Sequence, residues 1–232
     1  MMNQSPASPT ALGIRPSAQL ATALLTQAFV WMFAGLLLTA VVAYFVQSND
    51  RLIQIAYQYW FLLFIGQLGL VIGITAAMKK ISATVALLLF FVYAASVGLT
   101  VGVIVKAYTD TSVAAAFFSA AGIFGAAAIY GAVTKRTLAG IGPTLFIGVI
   151  GLVVASIVNI FLDLGPLSLA ISVVGVVIFT ALTAYDVKRI TSGDYAAAAG
   201  SLEKAAVFSA LALYLDFINI FLFLLRIFGS RN

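Results

Sequence analysis

The chain has 232 residues, 63% of them hydrophobic and 8% charged, with a mean hydropathy of +1.16. That leaves too little polar surface to cover a water-soluble globule, so lipid is the solvent for most of the chain and no length remains for a separate soluble domain. The net charge is +5 and there is neither Cys nor His, which excludes disulfides, thiolate nucleophiles, the common zinc ligands and a histidine base, and leaves proton chemistry to carboxylates.

Residues 1–22 carry Pro6, Pro9 and Pro16 among polar neighbours with a single Arg15 and read as a flexible cytoplasmic tail; the apolar run that follows is too long for a signal-peptide core. From residue 23 to 232 the chain reads as one transmembrane domain. Apolar runs fall at about Leu24 to Val46, Tyr59 to Met78, Ala83 to Val105, Val113 to Val133, Pro143 to Leu162, Leu167 to Tyr185 and Ala205 to Phe228. Each is long enough to cross about 30 Å of hydrocarbon as a helix that satisfies its own backbone. The expected fold is therefore an all-α membrane protein with seven transmembrane helices. Gly142-Pro143 and Gly165-Pro166 mark the starts of spans five and six, where proline's missing donor is harmless. Gly69 and Gly73 in span two, and Gly98 and Gly102 in span three, have the small-xxx-small spacing that permits close helix contact.

If the spans alternate, one side receives Arg15, Lys79, Lys80, Lys135, Arg136, Lys188, Arg189 and Lys204, and the other Arg51, Lys106, Arg226 and Arg231. The heavier side is cytoplasmic by the positive-inside rule, which puts the amino terminus inside and the carboxyl terminus outside. The basic residues thus orient the chain in the bilayer, and no nucleic-acid partner is expected. Short loops and the absence of a recognisable targeting segment favour a bacterial inner membrane.

Of the seven acidic residues, Asp50, Asp110, Asp163, Asp194 and Glu203 sit in or beside loops and read as solvated charges. Asp186 and Asp216 differ, because each lies within or at the end of an apolar helix, where a carboxylate costs several kcal/mol unless paired, protonated or hydrated. With span six running to about Asp194 and span seven starting near Ala205, Asp186 would lie about 12 Å and Asp216 about 16 Å from the turn, so antiparallel neighbours bring them together. Helical spacing adds a polar stripe to each: Ser172, Gly175, Thr183 and Asp186 on span six; Ser209, Asp216, Asn219 and Arg226 on span seven. Two carboxylates at hydrogen-bond distance in a low dielectric should share a proton and titrate as a coupled pair, whose deprotonation would loosen the helices or open the seam to a cation. The competing reading has two separate acids, with Asp186 at the interface beside Lys188 and Arg189.

An enzyme is not expected. The Gly-x-Gly-Asp of intramembrane aspartyl proteases is missing, since Leu213-Tyr214-Leu215 precedes Asp216, and span seven has no lysine for a retinal Schiff base. A proton-coupled transporter would need broken, symmetry-related helices, and the chain shows no internal repeat.

Three stretches carry a family resemblance: Tyr130-Gly131-Ala132-Val133-Thr134-Lys135-Arg136 followed by Gly142; Thr183-Ala184-Tyr185-Asp186; and Leu213-Tyr214-Leu215-Asp216-Phe217-Ile218-Asn219-Ile220-Phe221 with Leu224-Leu225-Arg226. Together they resemble the Bax inhibitor family of transmembrane proteins over nearly the whole chain after residue 22. The resemblance implies a seven-helix fold with the last helix central and wrapped by the other six, and a pH-sensitive calcium leak. Asp186 and Asp216 match the family's paired intramembrane aspartates, credited with sensing pH. Relatives are thought to latch that pair with a basic residue on span two; here span two offers only Gln67 before Lys79 and Lys80 at its end. Some bacterial relatives instead regulate a membrane-bound AAA protease, which leaves an interaction protein as the alternative reading.

The expectation drawn from all of this is a leak in which Asp186 and Asp216 sense protons, Asn219 helps line the path and no resident cofactor is needed. Two carboxylates and an amide are too few for a tight calcium cage, so coordination of the permeant calcium ion by Asp186 and Asp216 would be weak and transient.

Overall fold

The computed structural model describes residues 18–230, and its elements are all helices. In chain order these are α1 (Ala18–Gln47), α2 (Asp50–Gln58), α3 (Trp60–Ala76), α4 (Ala83–Lys106), α5 (Asp110–Val133), α6 (Gly142–Leu162), α7 (Gly165–Ser192), α8 (Asp194–Ala199) and α9 (Leu202–Phe228). Six helices are long and apolar enough to cross a membrane, and counting the pair α2 and α3, which is bent by 72°, as one span brings the number to seven. Residues 18–22, expected in the tail, are instead the first turn and more of α1; the rest of the expected tail lies outside the described residues.

The chain divides into two compact units, one formed by the residues up to Val103 with Arg189–Leu213, the other by Ile104–Lys188 with the chain from Tyr214 onward. The boundaries of the two units fall within the long helices α4, α7 and α9.

In the first unit α1 and α4 meet through glycine. A Cβ on Gly98 or Gly102 would overlap Val42 and Val46 of α1, and one on Gly35 would overlap the ring of Phe90. Small residues here let two backbones approach, and the Thr39 hydroxyl, 3% exposed, uses that approach to donate to the carbonyl of Ala94 at 2.8 Å. Gly69 and Gly73 behave otherwise: a Cβ on either would meet nothing within 4 Å, so these two glycines of α3 make no close contact. Identical spacing therefore serves packing on α4 and leaves an open face on α3. Beyond α7, the short helix α8 is framed by Gly193 and Gly200 at φ 86° and 74°, a left-handed geometry that costs a side chain about 1–2 kcal/mol. Arg189 lies 4.4 Å from the Tyr195 ring centroid and fastens α8 to the end of α7.

The core follows α9. Of its most apolar window 72% is buried, against 6–44% for the six-helix set's other members, and Leu213, Tyr214, Ile220 and Leu225 are fully covered. α6 is the opposite case at 6%, with Phe146, Ile147 and Phe161 all more than half exposed, as befits a lipid-facing span.

Candidate functional site

The second unit contains α5, α6, most of α7 and the C-terminal half of α9. At about 100° per residue, Ser172, Gly175, Phe179, Thr183 and Asp186 fall on one face of α7, while Ala184, Tyr185 and Lys188 fall on the other. The two faces have different neighbours.

On the acid-bearing face Asp186 and Asp216 are both buried, at 8% and 3% exposure. The Asp186 carboxyl acts electrostatically on that of Asp216, and the Thr183 side chain is hydrogen-bonded to Asp216. Asp216 Oδ2 is buried and has no hydrogen-bond partner. An orphan carboxylate oxygen in an apolar interior costs about 1–3 kcal/mol or more, unless a proton, a water or a cation meets it. Close by in sequence, Lys188 bonds the Thr134 carbonyl and Arg189 lies over the Tyr195 ring.

The acids do not meet across a tight hairpin. α7 ends at Ser192, about 9 Å beyond Asp186, whereas Asp216 lies about 21 Å into α9, with α8 in the turn. The expected depths of about 12 and 16 Å missed α8, a six-residue helix inside what read as a loop. Thr183, one turn deeper on α7 than Asp186, bridges the difference in level by bonding Asp216.

The rest of the stripe on α7 is less hydrophilic than its composition suggests. Ser172, Thr180 and Thr183 donate to the carbonyls of Ser168, Val176 and Phe179, four residues back on their own helix, at 2.9, 2.6 and 2.8 Å. Gly175 is covered by the ring of Phe223, which would overlap any Cβ placed there and which also lies 6.0 Å from the Phe179 ring. Phe223 is seven residues after Asp216, on the same face of α9, so an aromatic contact between α7 and α9 lies two turns beyond the acid. Asn219 sits between Asp216 and Phe223 on that face, its amide donating to the Leu215 carbonyl at 2.8 Å. Ser209 belongs to the first unit, fully buried with its hydroxyl unpartnered, and Arg226 is exposed near the end of α9.

Gln67 lies in the first unit, where its amide nitrogen donates to the Ser96 carbonyl and the Thr100 hydroxyl, both at 2.9 Å. Both amide protons are therefore committed to α4, and the residue serves as a tie between α3 and α4 in this state.

The opposite face of α7 meets glycines. A Cβ on Gly131 of α5 would overlap the Ala184 carbonyl, and one on Gly142 of α6 would overlap the Tyr185 hydroxyl. Lys188 completes the clasp by donating from Nζ to the carbonyl of Thr134, the C-cap residue of α5, at 2.6 Å. A cation at a helix carboxyl end meets both an unsatisfied carbonyl and the negative end of the dipole. The stretch from Tyr130 to Gly142 thus has its physical reason two residues from Asp186: it holds α5 and α6 against the helix that carries the acid. Sequence reading singled out this stretch but not its role, because no periodicity links residue 131 to residue 184. Phe223 was missed for a different reason, since one phenylalanine in an apolar helix carries no signal until Gly175 is seen opposite.

Among the described residues no three or more metal-ligating side chains come together. Asp186 and Asp216 supply the carboxylate oxygens of the site, with Thr183 as a third oxygen.

Comparison with known proteins agrees with the motifs. Residues 21–232 match the profile of the family described as inhibitor of apoptosis-promoting Bax1. The chain is 41% identical over 225 residues to the inner membrane protein YbhL of Escherichia coli (strain K12), which covers 94% of this chain and 96% of that protein. An uncharacterized protein of Deinococcus radiodurans is 42% identical over 209 residues, 90% of each chain, and one of Borreliella burgdorferi is 39% identical over 213 residues, 90% of this chain and 92% of the other. With an all-helical, multi-pass architecture and a family match reaching from α1 to the last residue, the chain belongs to the Bax inhibitor family of membrane proteins.

Proposed function

We propose that this protein is a pH-sensitive, calcium-permeable leak of a bacterial inner membrane, with Asp186 and Asp216 as its proton sensor. The observation that carries the reading is the buried group of Asp186, Thr183 and Asp216, in which one carboxylate oxygen of Asp216 has no partner. The inner-membrane location rests on the likeness to YbhL, and calcium as the ion rests on the family resemblance.

The sign of the pH response follows from charge. While the two carboxyls hold a proton between them, they attract, and α7 and α9 stay closed over the seam. When that proton leaves, two negative charges face each other in a poorly screened interior, and their repulsion favours a state that admits water and a cation. Flux therefore rises as pH rises. The Thr183 hydroxyl fits both states: it donates to the Phe179 carbonyl and can accept from a protonated Asp216, or it turns to donate to the ionised one. Phe223 in the Gly175 notch is the closure that must move on the outer side. Weak oxygen coordination suits passage better than storage.

A flux assay in liposomes tests the proposal. Purified protein should release entrapped calcium indicator signal faster as pH is raised, and Asp216→Asn, neutral at every pH, should hold the flux at its low-pH level. Calcium flux that ignores pH, or a pH response that survives Asp216→Asn, overturns the sensor.

A further inference from the structure

A short amphipathic helix interrupts the path from the first span to the second, and nothing in the sensor accounts for it. α2 is capped anew by Asn49, whose side-chain oxygen accepts from the backbone N–H groups of Arg51 and Leu52 at 3.0 and 3.3 Å, and it meets α3 at a bend of 72°. α3 by itself is 17 residues, about 26 Å long, and with its flanking residues nearly matches a hydrocarbon core of about 30 Å. The span does not need α2 for length. With α3 tilted by the usual amount, about 20°, a bend of that size leaves α2 within about 40° of the membrane plane whichever way the tilt runs.

The two arcs of α2 differ sharply. Asp50, Arg51, Gln54 and Gln58 share one side; Leu52, Ile53, Ile55 and Ala56 share the other. α2 rests on α1, and Ala56 at the centre of the apolar arc is 7% exposed. The arc is wider than the protein beneath it: Leu52 and Ile55, on one edge, remain 37% and 46% exposed. Aromatic side chains flank the helix at both ends, with Tyr44 and Phe45 at the close of α1 and Tyr59 and Trp60 at the start of α3, all roughly half exposed or more. Rings of this amphipathic kind collect at the level of the headgroups. Large apolar side chains are exposed on the helices at either end of α2 as well, Leu37 and Val41 on α1 and Leu62 and Ile65 on α3.

We infer that α2 is a membrane-surface helix that docks on the phospholipid headgroup layer of the non-cytoplasmic leaflet, with Leu52 and Ile55 in the acyl boundary and Gln54 and Gln58 in water. Asp50 and Arg51 cancel in charge, so the helix is held by apolar burial and aromatic anchoring. It fits a zwitterionic surface as well as an anionic one. The bent, surface-held segment fixes the depth of the start of α3 against the bilayer, independently of whether the protein conducts ions.

The chain contains no cysteine, so single labels can be placed without altering anything else. Leu52→Cys, Gln54→Cys, Ile55→Cys and Gln58→Cys, each nitroxide-labelled in the full chain in phosphatidylcholine liposomes, are compared for collision with oxygen, which concentrates in lipid, and with a water-soluble nickel chelate. The labels at 52 and 55 should show oxygen-to-nickel ratios several-fold above those at 54 and 58, with the same order when half the lipid is phosphatidylglycerol. High nickel access at all four sites, as for a face awaiting another protein, overturns the inference. So does high oxygen access at all four, as for the buried half of a bent span. A label that unfolds the protein is bypassed with Trp31→Phe, which leaves Trp60 as the sole tryptophan of the two. Its fluorescence should be quenched more by lipids brominated near the headgroup than near the chain end, and the reverse order counts against a surface helix.

Discussion

The two faces of α7 are closed by different means. Toward α5 and α6 every contact has backbone on one side: Gly131 against the Ala184 carbonyl, Gly142 against the Tyr185 hydroxyl, and Lys188 Nζ on the Thr134 carbonyl. Toward α9 the contacts come from side chains, with Phe223 lying in the Gly175 notch and Asp216 meeting Thr183 and the charge of Asp186. The contact of Gly131 with the Ala184 carbonyl has no rotamer to change, so that point can only hold or break. A ring in a notch can leave by turning about two torsions. On the proposed leak reading, a protein that opens while staying folded is served by one face of each kind, and the acids lie on the face closed by the Phe223 ring.

The sharpest way to break the comparison is to put bulk into the rigid face. Gly131→Val places a branched side chain on the Ala184 carbonyl, and since overpacking of a tight contact typically costs about 1–3 kcal/mol, folded yield and thermal midpoint in detergent should both fall markedly. Gly122→Ala on the same helix is the control, because a Cβ there meets nothing within 4 Å; its midpoint should stay within about 0.5 kcal/mol of wild type or rise. Equal loss from both variants would show that α5 is generally intolerant rather than clasped at one point.

Next in size is the movable face. Phe223→Ala empties the Gly175 notch and removes the ring that Phe179 meets. If the closed state loses on the order of 1.4 kcal/mol relative to the open one, calcium flux at low pH should rise roughly tenfold. The protein should remain folded, as Phe223 is only half-buried. Unchanged low-pH flux from a correctly folded variant would move the closure away from Phe223.

Lys188→Met tests the clasp more gently. The variant keeps the apolar stem and loses the ammonium that bonds Thr134 at 2.6 Å, which for a charged donor is worth about 1.5–3 kcal/mol at most. Stability should fall by less than that, and the direction of the pH response should be retained, since Lys188 lies on the face of α7 away from Asp216. Reversal of the response would mean that the lysine charge belongs to the sensor.

How much of this could be read from the sequence depends on the distance over which each feature is encoded. Span positions rest on local composition, and the seven apolar runs reappear as α1, α3 to α7 and α9 with boundaries shifted by a few residues. The placement of Asp186 and Asp216 on stripes is also local, because helical period alone puts Thr183 beside Asp186 and Asn219 near Asp216. What fails is anything that needs a partner from another helix. Gly69 and Gly98 have the same spacing signature and opposite surroundings; nothing within either helix says which will be covered. α8 escaped because six residues rich in alanine between two glycines look like a loop until those glycines adopt φ 86° and 74°. α2 escaped because a nine-residue amphipathic segment is shorter than any span and was read as connection.

The smallest expected effect separates a continuous polar seam from a local sensor. Ser172 and Thr183 lie on the same face of α7, both fully buried, and both hydroxyls donate to a carbonyl four residues back. They differ in that Thr183 also reaches Asp216. Ser172→Ala removes only a bond to the helix's own backbone, whose acceptor keeps its regular helical partner, so stability should change by less than about 0.5 kcal/mol and the pH response not at all. Thr183→Val, which preserves shape and deletes the same kind of hydroxyl, should displace the pH at which flux rises. If Ser172→Ala displaces it equally, the acids communicate with water along the whole stripe, past Phe223, and the outer plug is not a seal.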